Sequence, residues 1–114
     1  MSKYYQTNKK TELGVLIAVV EKQTTDKLVK EHLDELAFLA QTLNIKVRQT
    51  FVQKIERPDK RTYVRSGKLA EIRSLIKLEN INIIIFDDEL SPSQLRNIEN
   101  EIKIKVYDRS LLIL

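Results

Sequence analysis

At 114 residues, with 42% hydrophobic and 32% charged content, the chain has the size of one domain and the composition of a folded rather than a disordered protein. Having no cysteine, it has no disulfide, no thiol nucleophile and no cysteine metal site, which fits a reducing cytoplasm; no apolar run approaches the ~20 residues of a membrane span, and the polar, lysine-rich first ten residues are not expected to act as a secretory signal. The net charge of +4 is concentrated: Lys54, Arg57, Lys60, Arg61, Arg65 and Lys68 stand against only Glu56 and Asp59, so the rest of the chain is neutral.

Residues 1–12 read as a loose polar leader, and residues 13–114 as the domain. Residues 14–20 form an unbroken apolar run, as in a strand buried on both faces. Thr24-Thr25-Asp26 offers a cap and a first-turn acid, and Val29, Leu33, Leu36, Ala40 and Leu43 then form a helical stripe that Asn44 can close. Ile45, Val47, Gln49 and Phe51 alternate with Lys46, Arg48 and Thr50, the pattern of a strand with one wet face. After the basic loop, Ser66 is expected to cap a helix whose stripe is Leu69, Ile72, Leu75 and Ile76, and Asn80 precedes an apolar strand over 81–86. In Ser91-Pro92-Ser93-Gln94, Ser91 suits an N-cap, Pro92 the first helical position and Gln94 the capping-box partner. That third helix presents Leu95 and Ile98, and Ile102, Ile104 and Val106 alternate with lysines in a last strand.

The resulting β-α-β-α-β-α-β alternation predicts a three-layer α/β fold with a four-stranded parallel sheet. Strands one and three are apolar throughout and belong at the centre; two and four have polar alternates and belong at the edges, which gives the order 2-1-3-4. Right-handed crossovers place the first helix alone on one face. One helix cannot cover four strands, so the leader, the apolar tail Leu111-Leu112-Ile113-Leu114 or a neighbouring domain must shield the remainder.

Three places invite functional readings. A cationic excursion on a neutral body suits a phosphate-bearing partner, so Arg57, Lys60, Arg61, Arg65 and Lys68 are candidate phosphate contacts; Tyr63 among them either stacks on a base or anchors the loop. Ser66-Gly67 opens a helix and is a candidate anion site, but the G-x-x-x-x-G-K-[ST] spacing of a P-loop is absent. Asp87 and Asp88 end a central parallel strand, where ligands of open α/β sheets bind; the plainer reading is an acidic turn pinned by Arg96 or Arg109. The single histidine, His32, has no partner for metal or triad chemistry, and no metal site or catalytic residue is assigned.

Three stretches, in order, resemble one family. Arg57-Pro58-Asp59, Thr62-Tyr63-Val64 and Ser66-Gly67-Lys68-Leu69 resemble the RPDP-x-TYIGSGK-x-E segment of the HflX ribosome-associated GTPases; Phe86-Asp87-Asp88-Glu89-Leu90-Ser91-Pro92-Ser93-Gln94 and Val106-Tyr107-Asp108-Arg109-Ser110 with Leu111-Leu112-Ile113-Leu114 resemble two more of their signatures. The family usually has glycine where Arg65 stands and proline where Lys60 stands, so this loop is the more basic. The resemblance implies the N-terminal domain of a longer protein, which docks on rRNA of the large (50S) ribosomal subunit in the cytoplasm. It implies attached helical and GTPase domains that hold GTP and Mg²⁺, with no cofactor in this part. It also leaves open an ATP-binding domain with an RNA-unwinding role, and pairing of two copies through an open sheet face or the tail.

Overall fold

The computed structural model describes residues 11–113. The expected leader falls outside them except for Thr11 and Glu12, and Glu12 already belongs to the first strand; Leu114 also falls outside. The elements are β1 (Glu12–Val20), α1 (Asp26–Thr42), β2 (Ile45–Lys54), α2 (Ser66–Glu79), β3 (Ile83–Phe86), α3 (Pro92–Ile102), β4 (Lys105–Tyr107) and α4 (Arg109–Ile113). All strand pairs are parallel and the order is β2-β1-β3-β4, as the apolar runs predict.

The sheet separates two cores. On one face Val15, Ile17, Val19, Ile84 and Phe86 pack against Leu69 and Ile72 of α2 and Ile98 and Ile102 of α3. On the other, Leu16, Ala18, Ile83 and Ile85 meet Val29, Leu33, Leu36 and Ala40 of α1. The cover that α1 cannot provide comes from the tail: Leu112 of α4 is buried in the same cluster.

Local chemistry sets the boundaries. Thr25 caps α1 by accepting from Leu28 N, and Ser91 with Gln94 forms the expected reciprocal capping box on α3. Asn44, Asn80 and Lys103 take left-handed φ values of 61°, 56° and 62° just past the three long helices.

Three expectations are corrected. Residues 45–51 do not alternate in one phase: Gly14 pairs with Val47 but Val15 with Gln49, so Arg48 is an extra residue in the ladder. Ile45 and Val47 therefore face the α1 core, whereas Phe51 faces the α2 side. Gly14 sits at this irregularity because a Cβ there would stand 2.7 Å from Ile45 Cγ2. Ile102 belongs to α3, not to the last strand, because it extends the Leu95–Ile98 stripe and is buried; β4 is only three residues long. Ser66 does not cap α2: Arg65 holds the N-cap position, extended and without a side-chain cap, and its N–H donates to Gln53 Oε1 of β2 at 3.0 Å, so the helix starts at Ser66, one residue earlier than expected.

Candidate functional site

The C-terminal ends of the parallel strands carry the loops, and here the three signature-like segments meet. The segment after β2 is an ordered loop built on Asp59. The Asp59 carboxylate accepts from Arg61 N at 2.8 Å and Thr62 N at 3.0 Å, and these two donors hold it ionised below the usual carboxylate range. Asp59 and Tyr63 exchange both backbone bonds at 2.9 Å, a one-rung antiparallel ladder. The buried Thr62 hydroxyl donates to Val64 O at 2.9 Å. Beneath the loop, Tyr63 meets Phe86 of β3 edge to face, with centroids 6.1 Å apart. Along its flank, α3 holds it at three points: Gln94 Nε2 donates to Asp59 O, Asn97 Nδ2 to Arg61 O, both at 3.1 Å, and Glu101 pairs with the Arg61 guanidinium at 3.0 Å.

This arrangement sorts the six cations. Lys54 is paired with Asp26 at 2.7 Å and Arg61 with Glu101. Lys68 reaches Glu71 at 3.5 Å and lies over the Phe51 ring at 5.5 Å. Arg57, Lys60 and Arg65 are exposed, and among the described residues none of the three makes an ion pair. Ser66 and Gly67 are exposed at the start of α2, and nothing lies within 4 Å of where a Gly67 Cβ would be. No backbone is wrapped there in the way a polyphosphate requires.

The acidic turn after β3 is stitched to the start of α4. Arg109 donates from Nε to Asp87 O at 3.1 Å, pairs with the Asp87 carboxylate, reaches Glu35 of α1 at 2.7 Å and donates to His32 O at 3.2 Å. Ser110 bonds Glu89. Asp108, which is buried, accepts from Leu90 N and Leu111 N, both at 2.9 Å. Of the two proposed pins Arg109 is the one used. Asp108 was not foreseen; its only sequence signal is a lone acid between an apolar strand and an apolar tail.

Between the ends of β1 and β3 lies a cleft of about 340 Å³, lined by Glu21, Glu56, Asp87, Asp88, Tyr63 and His32 among others. This is the position at which the connections diverge. Asp88 Oδ2 is buried without a hydrogen-bond partner among the described residues. Burial, and then Asp87, push the Asp88 carboxyl up, while the Val19 backbone, the Tyr63 hydroxyl and Arg109 oppose the shift. Burial and Asp88 in turn raise the Tyr63 phenol to about 12. Phosphates placed against this lining would face Glu21, Glu56, Asp87 and Asp88, and the Arg109 guanidinium beside it is committed to Asp87 and Glu35. No group of three or more His, Cys, Asp or Glu residues among the described ones is placed to hold a metal ion. No helix among them is long and apolar enough to cross a membrane.

Comparison with known proteins adds three findings. The family described as "GTP-binding GTPase N-terminal" matches residues 30–114. The chain is 41% identical over 103 residues to the GTPase HflX of Flavobacterium psychrophilum, covering 90% of this chain and 25% of that one, and 39% identical over 102 residues to the GTPase HflX of Chlamydia pneumoniae, covering 89% and 22%. The chain thus spans about a quarter of the length of the curated relatives it matches. Its fold resembles that of a GTP-binding protein from Sulfolobus solfataricus solved in complex with GDP, with a TM-score of 0.66 and 26% identity over 90% of this chain and 29% of that one.

Proposed function

The chain belongs to the GTP-binding GTPase N-terminal family, as an HflX-type N-terminal domain, and we propose that it serves as the RNA-docking domain of an HflX-like GTPase, with the large ribosomal subunit as its partner. The observation that supports this reading most is the state of the basic loop. It is built in one shape and presents Arg57, Lys60 and Arg65 to solvent without acidic partners among the described residues. Cations so placed gain by releasing counterions from a phosphate backbone and lose little by leaving the protein. GTP binding and hydrolysis, with the Mg²⁺ they use, belong in this reading to a GTPase domain outside this chain.

Co-sedimentation of the 114-residue chain with purified large ribosomal subunits at low and moderate salt tests the reading. Wild-type chain pellets with the subunits, and a variant with Arg57→Glu, Lys60→Glu and Arg65→Glu stays in the supernatant while melting at the same temperature. Equal pelleting of the two would refute docking through this loop.

A further inference from the structure

The loop carries the charge, but α3 determines its shape. Gln94, Asn97 and Glu101 recur at i, i+3 and i+7, so they form one stripe along the helix. Each holds a different point of the loop: the Asp59 carbonyl, the Arg61 carbonyl and the Arg61 guanidinium. Gln94 does two jobs with one amide. Its Oε1 accepts from Ser91 N at 2.9 Å to complete the capping box, and that orientation turns Nε2 onto Asp59 O. Helix cap and loop tether are therefore one group. The Asp59 carbonyl receives this donor as well as Tyr63 N, so the tether reinforces the rung that closes the loop.

We infer that Gln94 and Asn97 are positioning residues for RNA docking: they contact no RNA, but they hold the 59–63 turn so that Lys60 at its tip and Arg57 and Arg65 at its two ends are presented in a fixed arrangement before the partner arrives. This rests on the docking reading above. A preorganised loop does not lose ordering entropy on binding, and a released one does. The tether thus acts on affinity without adding a phosphate contact.

Two variants separate the tether from the fold. Gln94→Glu keeps an acceptor for Ser91 N, since glutamate serves the capping box as well as glutamine, but it removes the donor to Asp59 O. Asn97→Ala removes the donor to Arg61 O without touching the cap and without changing charge. Asn100→Asp, on the exposed surface of the same helix, controls for the charge that Gln94→Glu adds. Three quantities are read on the 114-residue chain: the melting temperature, hydrogen exchange of the Asp59 and Tyr63 amides, and affinity for purified large ribosomal subunits across a salt series. In both tether variants the melting temperature stays near wild type and the two amides exchange faster. Affinity falls by about three- to tenfold, the cost of ordering a short segment on binding. The salt slope stays at the wild-type value, because the number of phosphate contacts is unchanged. Asn100→Asp leaves the amides protected and affinity within about twofold.

Unchanged exchange in the tether variants would overturn the inference, and so would faster exchange with unchanged affinity. A lowered salt slope would also overturn it, by making the two residues part of the contact itself. If the triple reversal of Arg57, Lys60 and Arg65 abolishes binding while the tether variants bind normally, this inference alone fails. If that reversal binds like wild type, the docking reading fails first.

Discussion

Tyr63 adopts a φ of 68°, a left-handed conformation that a bulky residue enters only when its surroundings demand it. Here they do: both Asp59 bonds, the Phe86 edge contact and the carboxyl of Asp88 act on it together. Asp88 bears the cost of this packing. Its carboxyl is pushed up chiefly by burial, so the folded state binds its proton more tightly than the unfolded chain does. The sign follows: Asp88 favours folding while protonated, and that benefit is lost as pH rises from the ordinary carboxylate value through the raised one. Asp88→Asn is therefore expected to raise the melting temperature at pH 7, with an advantage that shrinks as the pH is lowered through that window. Melting curves at a series of pH values check this, and an asparagine variant less stable than wild type at every pH would show that the charge is needed where it stands.

Among the elements, α4 is short but holds two layers together. Five residues cannot display a helical period, so Leu111-Leu112-Ile113 reads in sequence as a bare apolar tail that needs cover or gives it. In the structure Leu112 closes the α1-side core, and Asp108, Arg109 and Ser110 fasten the helix to the turn after β3. Leu112→Ala should cost about 2–4 kcal/mol of unfolding free energy, within the range for removing a large buried side chain. Arg109→Met should cost on the order of 2–3 kcal/mol, below the figure for a fully buried pair because the guanidinium is 24% exposed. Urea unfolding measures both, and a loss under about 1 kcal/mol in each would mean that α4 is a dispensable appendage. The same scale shows where sequence patterning fails. The run of apolar residues in β1 and β3 reveals their central place because burial on two faces leaves no polar alternate. In β2 the pattern misleads, since one extra residue at Arg48 exchanges the faces and the alternation on each side of it still looks regular.

For the whole molecule, net charge is a poor guide to which cations are available. All six lysines and arginines of the basic stretch look alike in sequence; Glu71 stands one helical turn from Lys68, but nothing in the chain order indicates that Asp26 and Glu101 will reach Lys54 and Arg61. The order of the loop was equally hidden. Asp59 is a single acid in a basic run, and its hub role depends on donors brought round by the turn and on a helix 35 residues away in sequence. What could be read was the meeting place: loops following parallel strands gather at one end of the sheet, so the three signature-like segments had to share it.

Of the six cations between Lys54 and Lys68, we propose that the three without an ion pair among the described residues, Arg57, Lys60 and Arg65, are the ones that face the RNA. The dependence of affinity for large ribosomal subunits on salt tests it most directly, with charges neutralised in two groups. Arg57→Gln, Lys60→Gln and Arg65→Gln together should lower the slope of log affinity against log salt by about 2–3, roughly one unit for each lost phosphate contact. Lys54→Gln with Lys68→Gln should leave it close to wild type. A slope that falls equally with both groups, or with neither, would contradict the claim.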